Sequence, residues 1–131
     1  MVSKVELGTG KVHQYTVRAT DAASFDAGEV HQVMSTFAIA REMEWSSRLF
    51  ALEMREADEE GIGTMLEIKH ISPALFNTEL NFEAKLVSIE KNELICEIRV
   101  LAGERLIATG RTGQKILKKD KLNQIFTSLE R

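Results

Sequence analysis

A chain of 131 residues, 44% of them hydrophobic, has the length of one domain and enough apolar side chains for a core. Its net charge of −3, with Lys and Arg spread along it, argues against a strongly basic nucleic-acid surface, and no apolar run approaches the ~18 residues needed to span a membrane. The single cysteine, Cys96, excludes an intramolecular disulfide, and with no apolar signal-peptide core near the N-terminus the expected setting is cytoplasmic.

Residues 1–10 are Gly-rich and aperiodic, and are expected as a loose entry segment to a single domain spanning 1–131. Residues 11–18, with Val12, Tyr15, Thr16 and Val17, read as a strand. Residues 20–33, with Gly28, read as a loop that includes a short turn at 21–25. A long helix is expected over 36–56, capped by the hydroxyl of Ser35 or Thr36. At 100° per residue one arc of it carries Thr36, Ile39, Ala40, Met43, Glu44, Ser47, Phe50, Ala51 and Met54. Ala40, Ser47 and Ala51 are small enough to let a sheet approach the helix closely. The opposite side mixes Trp45, Leu49 and Leu52 with Arg41, Glu42, Arg48 and Glu53. A helix apolar on both sides is covered on both sides, and in so short a chain the second cover is expected from another subunit.

After a turn at 58–63, four antiparallel strands are expected. Over 64–72, Leu66, Ile68 and His70 share one face, and Pro73 ends the run. Over 78–90, Leu80, Phe82, Ala84 and Leu86 point inward; over 93–101, Leu94, Cys96, Ile98 and Val100 do. Turns at 91–92 and 102–104 separate these from a last strand at 105–117, where Gly110 and Gly113 mark bulges or close approaches. Residues 119–131 read as a helix with a stripe of Leu122, Ile125, Phe126 and Leu129. One long helix against a curved antiparallel sheet of about five strands, an α+β fold, buries these faces most economically.

Glu44 falls inside the apolar arc, where an unpaired carboxylate is costly, so it must find a partner or take up a proton. His70, on the inward face of its strand, is the expected partner. Thr36 lies eight residues before Glu44, roughly 12 Å along a straight helix, so the two cannot touch there. Either a substrate spans them or they meet across subunits. A hydroxyl, a carboxylate and an imidazole around one core can move protons and activate a nucleophile. Each residue also has a plainer reading: Thr36 as an N-cap, Glu44 at the rim reaching solvent, His70 as a satisfied core histidine. Other candidates are weaker. Gly61-Ile62-Gly63 precedes a strand, not the helix of a dinucleotide loop, though the Gly63 N–H can donate to an oxyanion. Ser46 and Ser47 lie mid-helix, away from any strand-to-helix elbow. Cys96 reads as a small buried hydrophobe. His13 and His31 lack ligand spacing, so no metal is expected. Lys118, Lys119 and Lys121 make a short basic cluster, read first as solvated surface and second as a hold for a ligand phosphate.

The segments VMSTFAIAREMEWSSRLF and GIGTMLEIKHISPA resemble the hotdog-fold thioesterases of the fluoroacetyl-CoA thioesterase type. Those proteins open the central helix with Ser/Ala-Thr, place a Glu one or two turns later, and begin the next strand with Gly-Thr and end it with His. The likeness runs from about residue 11 to 121. It implies a hotdog fold with catalytic Thr36, Glu44 and His70. Substrate-binding Ser35, Gly63 and Thr64 follow from the same motifs, with the Gly63 backbone near the thioester carbonyl. It also implies a homodimer that binds acyl-CoA near the subunit interface, with CoA entering as substrate and no separate cofactor; whether dimers pair into a dimer of dimers stays open. The segment 26–33 lacks the aromatic residues of a fluoroacetyl specialist's lid, so the broader class of small acyl-CoA thioesters is the expected substrate. Two alternatives stay open: a CoA- or acyl-binding protein without turnover, and a hotdog enoyl-CoA hydratase or dehydratase.

Overall fold

The computed structural model describes residues 1–2, 5–25 and 28–130. The elements run β1 (Gly10–Thr16), a 3-10 turn (Ala19–Asp21), β2 (Ala22–Phe25), β3 (Gly28–Met34), α1 (Thr36–Met54), β4 (Glu59–His70), β5 (Glu79–Glu90), β6 (Glu93–Ala102), β7 (Arg105–Lys118) and α2 (Lys119–Leu129). Five strands form one antiparallel sheet in the order β1-β5-β6-β7-β4, and α1 lies across it. This is the α+β hotdog arrangement expected, a long central helix against a five-stranded sheet.

Apolar alternation builds the sheet's inner face. Leu80, Phe82, Ala84 and Leu86 of β5 and Leu94, Cys96, Ile98 and Val100 of β6 are all buried. Against them α1 sets Ala38, Ile39, Met43, Phe50, Ala51 and Met54. Burying each Leu, Ile, Val, Met or Phe among them contributes about 1.5–3 kcal/mol relative to exposure. Gly110 of β7 is required by this approach, because a methyl there would run into the Met43 side chain and the Glu67 carbonyl.

Several boundaries differ from the expected ones. The loop expected at 20–33 is a β2–β3 hairpin; residues 26 and 27, and with them part of the segment expected to lack a lid, lie outside the described residues. Its strands are short and mixed in polarity, so they carry no period-2 signal. The turn expected at 58–63 is already strand: β4 begins at Glu59, which pairs with Lys118. Two glycines disguise it, since Gly61 and Gly63 are depleted in strands generally. The helix stops at Met54 rather than 56, with Arg55 extended and its N–H bonded to the Ala51 carbonyl. The segment expected as loose is tied down where it is described. The Val2 N–H donates to the Met54 carbonyl, the Gly8 N–H donates to the Leu86 carbonyl, and Val5 is buried. In α2 only Leu122 of the expected stripe is buried, leaving Ile125, Phe126 and Leu129 exposed.

The inward face of α1 is rotated from the expected arc. Ala38 and Ser46 are inside, whereas Thr36 and Glu44 stand at the rim and are exposed. The carboxylate is therefore not buried within the single chain, and the solvation cost expected for it does not arise there. Trp45 (42% exposed) and Leu66 (37%) lie beside it, and β4 is an unpaired sheet edge among the described residues.

Candidate active site

Ser35 has the extended backbone of an N-cap, and its hydroxyl oxygen accepts from the Ala38 N–H at 3.0 Å. That leaves Thr36 as the first helical residue with its hydroxyl free to turn outward. It meets His70 at the end of β4, with Thr36 Oγ1 2.9 Å from Nδ1. The other ring nitrogen, Nε2, is 3.0 Å from the Ser72 carbonyl oxygen. A carbonyl only accepts, so Nε2 carries a proton; in the neutral ring Nδ1 is then the acceptor and the Thr36 hydroxyl donates to it. The guanidinium of Arg105 donates to the Ser72 hydroxyl and, at 2.7 Å, to the Pro73 carbonyl, so the turn that presents the Ser72 carbonyl is itself held.

The pairing differs from the one expected. His70 binds Thr36, not Glu44, because the ring sits at the far end of β4 near the start of α1, whereas Glu44 lies two turns further along the helix. Glu44 instead lies over Gly63. A methyl built on Gly63 would collide with the Glu44 carboxylate, so the glycine is what admits it. Thr64 is the extra residue of a bulge: Gly63 pairs with Gln114 and Met65 with Gly113. The bulge keeps Leu66, Ile68 and His70 on the same face as Gly61 and Gly63. The Thr64 hydroxyl donates to Glu93 at 2.7 Å. Glu44 thus borders a cleft of about 350 Å³ with Gly63, Thr64, Met65 and Leu66. A second hollow, of about 360 Å³, lies between Glu44, Trp45, Arg41 and Arg48.

A larger groove of about 710 Å³ opens beside Thr36, bounded by Ala22, Ala23, Phe37, Ala40 and Arg41. One wall is fixed by a polar network absent from the sequence expectations. Buried Asp21 accepts from the Tyr15 hydroxyl at 2.7 Å, the Arg18 N–H at 2.8 Å and Arg41 at 2.8 Å. Arg41 also donates to Glu42, and Glu42 is 2.9 Å from His13 Nε2. Burial alone pushes the Asp21 carboxyl up, but the Arg41 guanidinium, the Arg18 N–H and the Tyr15 hydroxyl together hold it below its ordinary value. Burial and the Asp21 hydrogen bond push the Tyr15 hydroxyl up. A polar residue in a predicted turn gives no sign of such a network; the only hint was an Asp three residues after Arg18, placed to cap.

Cys96 is buried, which pushes its thiol up to about 12 and removes it as a nucleophile. No group of three or more metal-ligating side chains occurs among the described residues. Gln114 on β7 was also missed. It is 1% exposed, and neither its Oε1 nor its Nε2 has a partner. Its signal was a polar side chain in the inward row Ala108, Gly110, Thr112, Gln114, Ile116.

A family model described as fluoroacetyl-CoA-specific thioesterase (FlK) matches residues 17–120. A Thermus thermophilus hypothetical protein of the thioesterase superfamily is 29% identical over 98% of this chain and 95% of its own, with a TM-score of 0.93. The fluoroacetyl-CoA thioesterase FlK superposes with a TM-score of 0.89 at 18% identity, covering 98% of this chain and 100% of that one. A hot-dog-like protein from Thermanaerovibrio acidaminovorans does so with a TM-score of 0.85 at 18% identity, over 95% and 93% of the two chains. A search of curated proteins gives no match.

Proposed function

Since this chain belongs to the fluoroacetyl-CoA-specific thioesterase (FlK) family, we propose that it hydrolyses a small acyl-CoA thioester to the free acid and CoA. One observation carries the reading: the Thr36 hydroxyl is hydrogen-bonded at 2.9 Å to an imidazole whose far nitrogen is fixed by a carbonyl. A hydroxyl that only capped a helix would need no such partner. Two turns further along α1, Glu44 rests on a glycine of an edge strand, where alternate N–H groups have no strand partner.

In this reading the thioester carbonyl sits against the Gly63 N–H, which stabilises the developing oxyanion. Water bonds to the carbonyl carbon and gives a proton to Glu44. The C–S bond breaks, and the proton is returned to the departing sulfur by way of Thr36 and His70. Ser35 and Thr64 line the approaches to these groups. CoA is held as part of the substrate.

Thr36 and Glu44 lie roughly 12 Å apart along α1, too far to act on one carbonyl from a single chain. The exposed Trp45 and Leu66 beside Glu44 and the open β4 edge support a homodimer in which Glu44 of one subunit faces the Thr36–His70 pair of the other. The test is thiol release across acyl-CoAs of graded length and polarity by the parent and by Thr36→Ala, Glu44→Ala and His70→Ala. Loss of turnover in folded variants supports the assignment. Parent-level turnover in all three removes it, and water addition to crotonyl-CoA without thiol release replaces it with a hydratase.

A further inference from the structure

Gln114 lies in the sheet directly beneath the place where α1 crosses β4. It pairs with Gly63 across the β4–β7 ladder, and its side chain runs under both Gly61 and Gly63. The two ends of the amide differ in what they approach. A methyl on Gly63 would stand 3.5 Å from Gln114 Nε2 and against the Glu44 carboxylate. A methyl on Gly61 would stand 3.6 Å from Gln114 Oε1 and 3.8 Å from the Arg48 guanidinium. The donor end therefore faces the carboxylate and the acceptor end faces the cation. Two glycines two residues apart leave only hydrogen between the amide and these charged groups.

The amide is 1% exposed and makes no hydrogen bond at either end. A buried polar group without a partner is destabilising, and a methionine or leucine would fill the same space without that cost. A primary amide kept at this cost, with Nε2 on the Glu44 side and Oε1 on the Arg48 side, is placed to act on the groups above the two glycines. Arg48 is already engaged at the same point, donating to the Gly61 carbonyl at 2.9 Å.

We propose that Gln114 is a positioning residue for Glu44: its Nε2–H donates to a water that bridges to the carboxylate and holds it over Gly63 in the reactive orientation. This rests on the thioesterase reading above for its catalytic consequence, but not for the contact itself. A carboxylate held by one fixed donor keeps its position during turnover, whereas one held only by packing on a glycine swings with α1 side-chain motion.

The test uses the full-length protein with Gln114→Met, which keeps volume and removes both polar ends. The expected result is a fall of about tenfold in kcat with KM within about twofold, and a melting temperature equal to or above that of the parent. A packing role alone would lower the melting temperature and leave kcat in place, and that result overturns the proposal. A second measurement needs no activity. In the substrate-free protein the Gln114 side-chain amide 1H–15N signal, identified by its loss in Gln114→Met, is expected to shift on Glu44→Ala. An unmoved signal overturns the contact even if hydrolysis is established; a shifted signal with no thiol release from any acyl-CoA supports the contact and removes the hydrolase reading instead.

Discussion

His70 Nε2 lies 3.0 Å from the Ser72 carbonyl oxygen, and that contact decides which way the proton between His70 and Thr36 can move. With Nε2 committed as a donor, Nδ1 accepts from the Thr36 hydroxyl, the arrangement in which an imidazole draws a proton from a hydroxyl. Thr36→Val keeps the shape and removes the hydroxyl. Because Thr36 is exposed and Ser35 supplies the cap, the fold should lose little, while kcat should fall by about 10²-fold. Thr36→Ser should retain most of the rate. Steady-state thiol release with the three proteins checks this, and equal rates for Val and Ser would remove the hydroxyl from the chemistry.

The strands after α1 were legible because their inward rows, such as Leu94, Cys96, Ile98 and Val100, repeat every second residue against a solvated face. The start of β4 was not, because Gly61 and Gly63 carry no side chain to show a period; their role appears only when Glu44 and Ala51 are seen lying against them. Thr36, Glu44 and His70 could be placed from the sequence on neighbouring elements as candidate chemistry-bearing side chains, but not their pairing. Helical angle gives a direction around α1, not which end of β4 it crosses, and that crossing brings His70 to Thr36 rather than to Glu44. The burial of Glu44 was misjudged for a related reason: 100° steps place it about 20° from buried Ala51, at the edge of the buried row, and a small rotation of the helix carries it to the rim.

Placing Glu44 of one subunit against Thr36 and His70 of the other makes a specific demand on mixed dimers. Glu44→Ala and Thr36→Ala subunits, each inactive alone, combine to give one site with both substitutions and one with neither. Mixing them under exchange conditions should restore turnover to about half that of a parent dimer for each heterodimer formed. If both groups come from the same subunit, no mixture regains activity. Thiol release after subunit exchange, with heterodimer content read by native mass spectrometry, separates the two.

Gly63 should be intolerant of any side chain for a reason local to the site. Its backbone is ordinary strand, so Gly63→Ala carries no conformational penalty from the glycine itself, but the new methyl occupies the position of the Glu44 carboxylate. The flexible acid gives way rather than the sheet. The expected protein is folded, with a melting temperature close to the parent's, and turns over about 10²-fold more slowly because the carboxylate is displaced by about an ångström. Circular dichroism melts beside thiol-release kinetics check both halves. A fully active Gly63→Ala would show that the Glu44–Gly63 contact is incidental.

The Asp21 network should make stability depend on pH in one direction. Arg41, the Arg18 N–H and the Tyr15 hydroxyl overcome the effect of burial and hold the Asp21 carboxyl below its ordinary value in the folded protein. Protons therefore bind more tightly to this group in the unfolded chain. Its contribution is fully present above the unfolded value of about 4 and is lost as pH falls through the lower folded value. Asp21→Asn removes the charge while keeping the shape, and at pH 7 should cost roughly 1–3 kcal/mol, because the amide keeps one acceptor oxygen but sets an NH2 donor against the Arg18 N–H and the Tyr15 hydroxyl, and Arg41 loses its opposite charge. As pH falls below about 4 the parent gives up the same interaction and the two proteins should converge. Urea denaturation of both from pH 7 to pH 3 reads the difference directly. A gap that stays constant across that range would mean the carboxylate charge contributes nothing and that the network acts through packing alone.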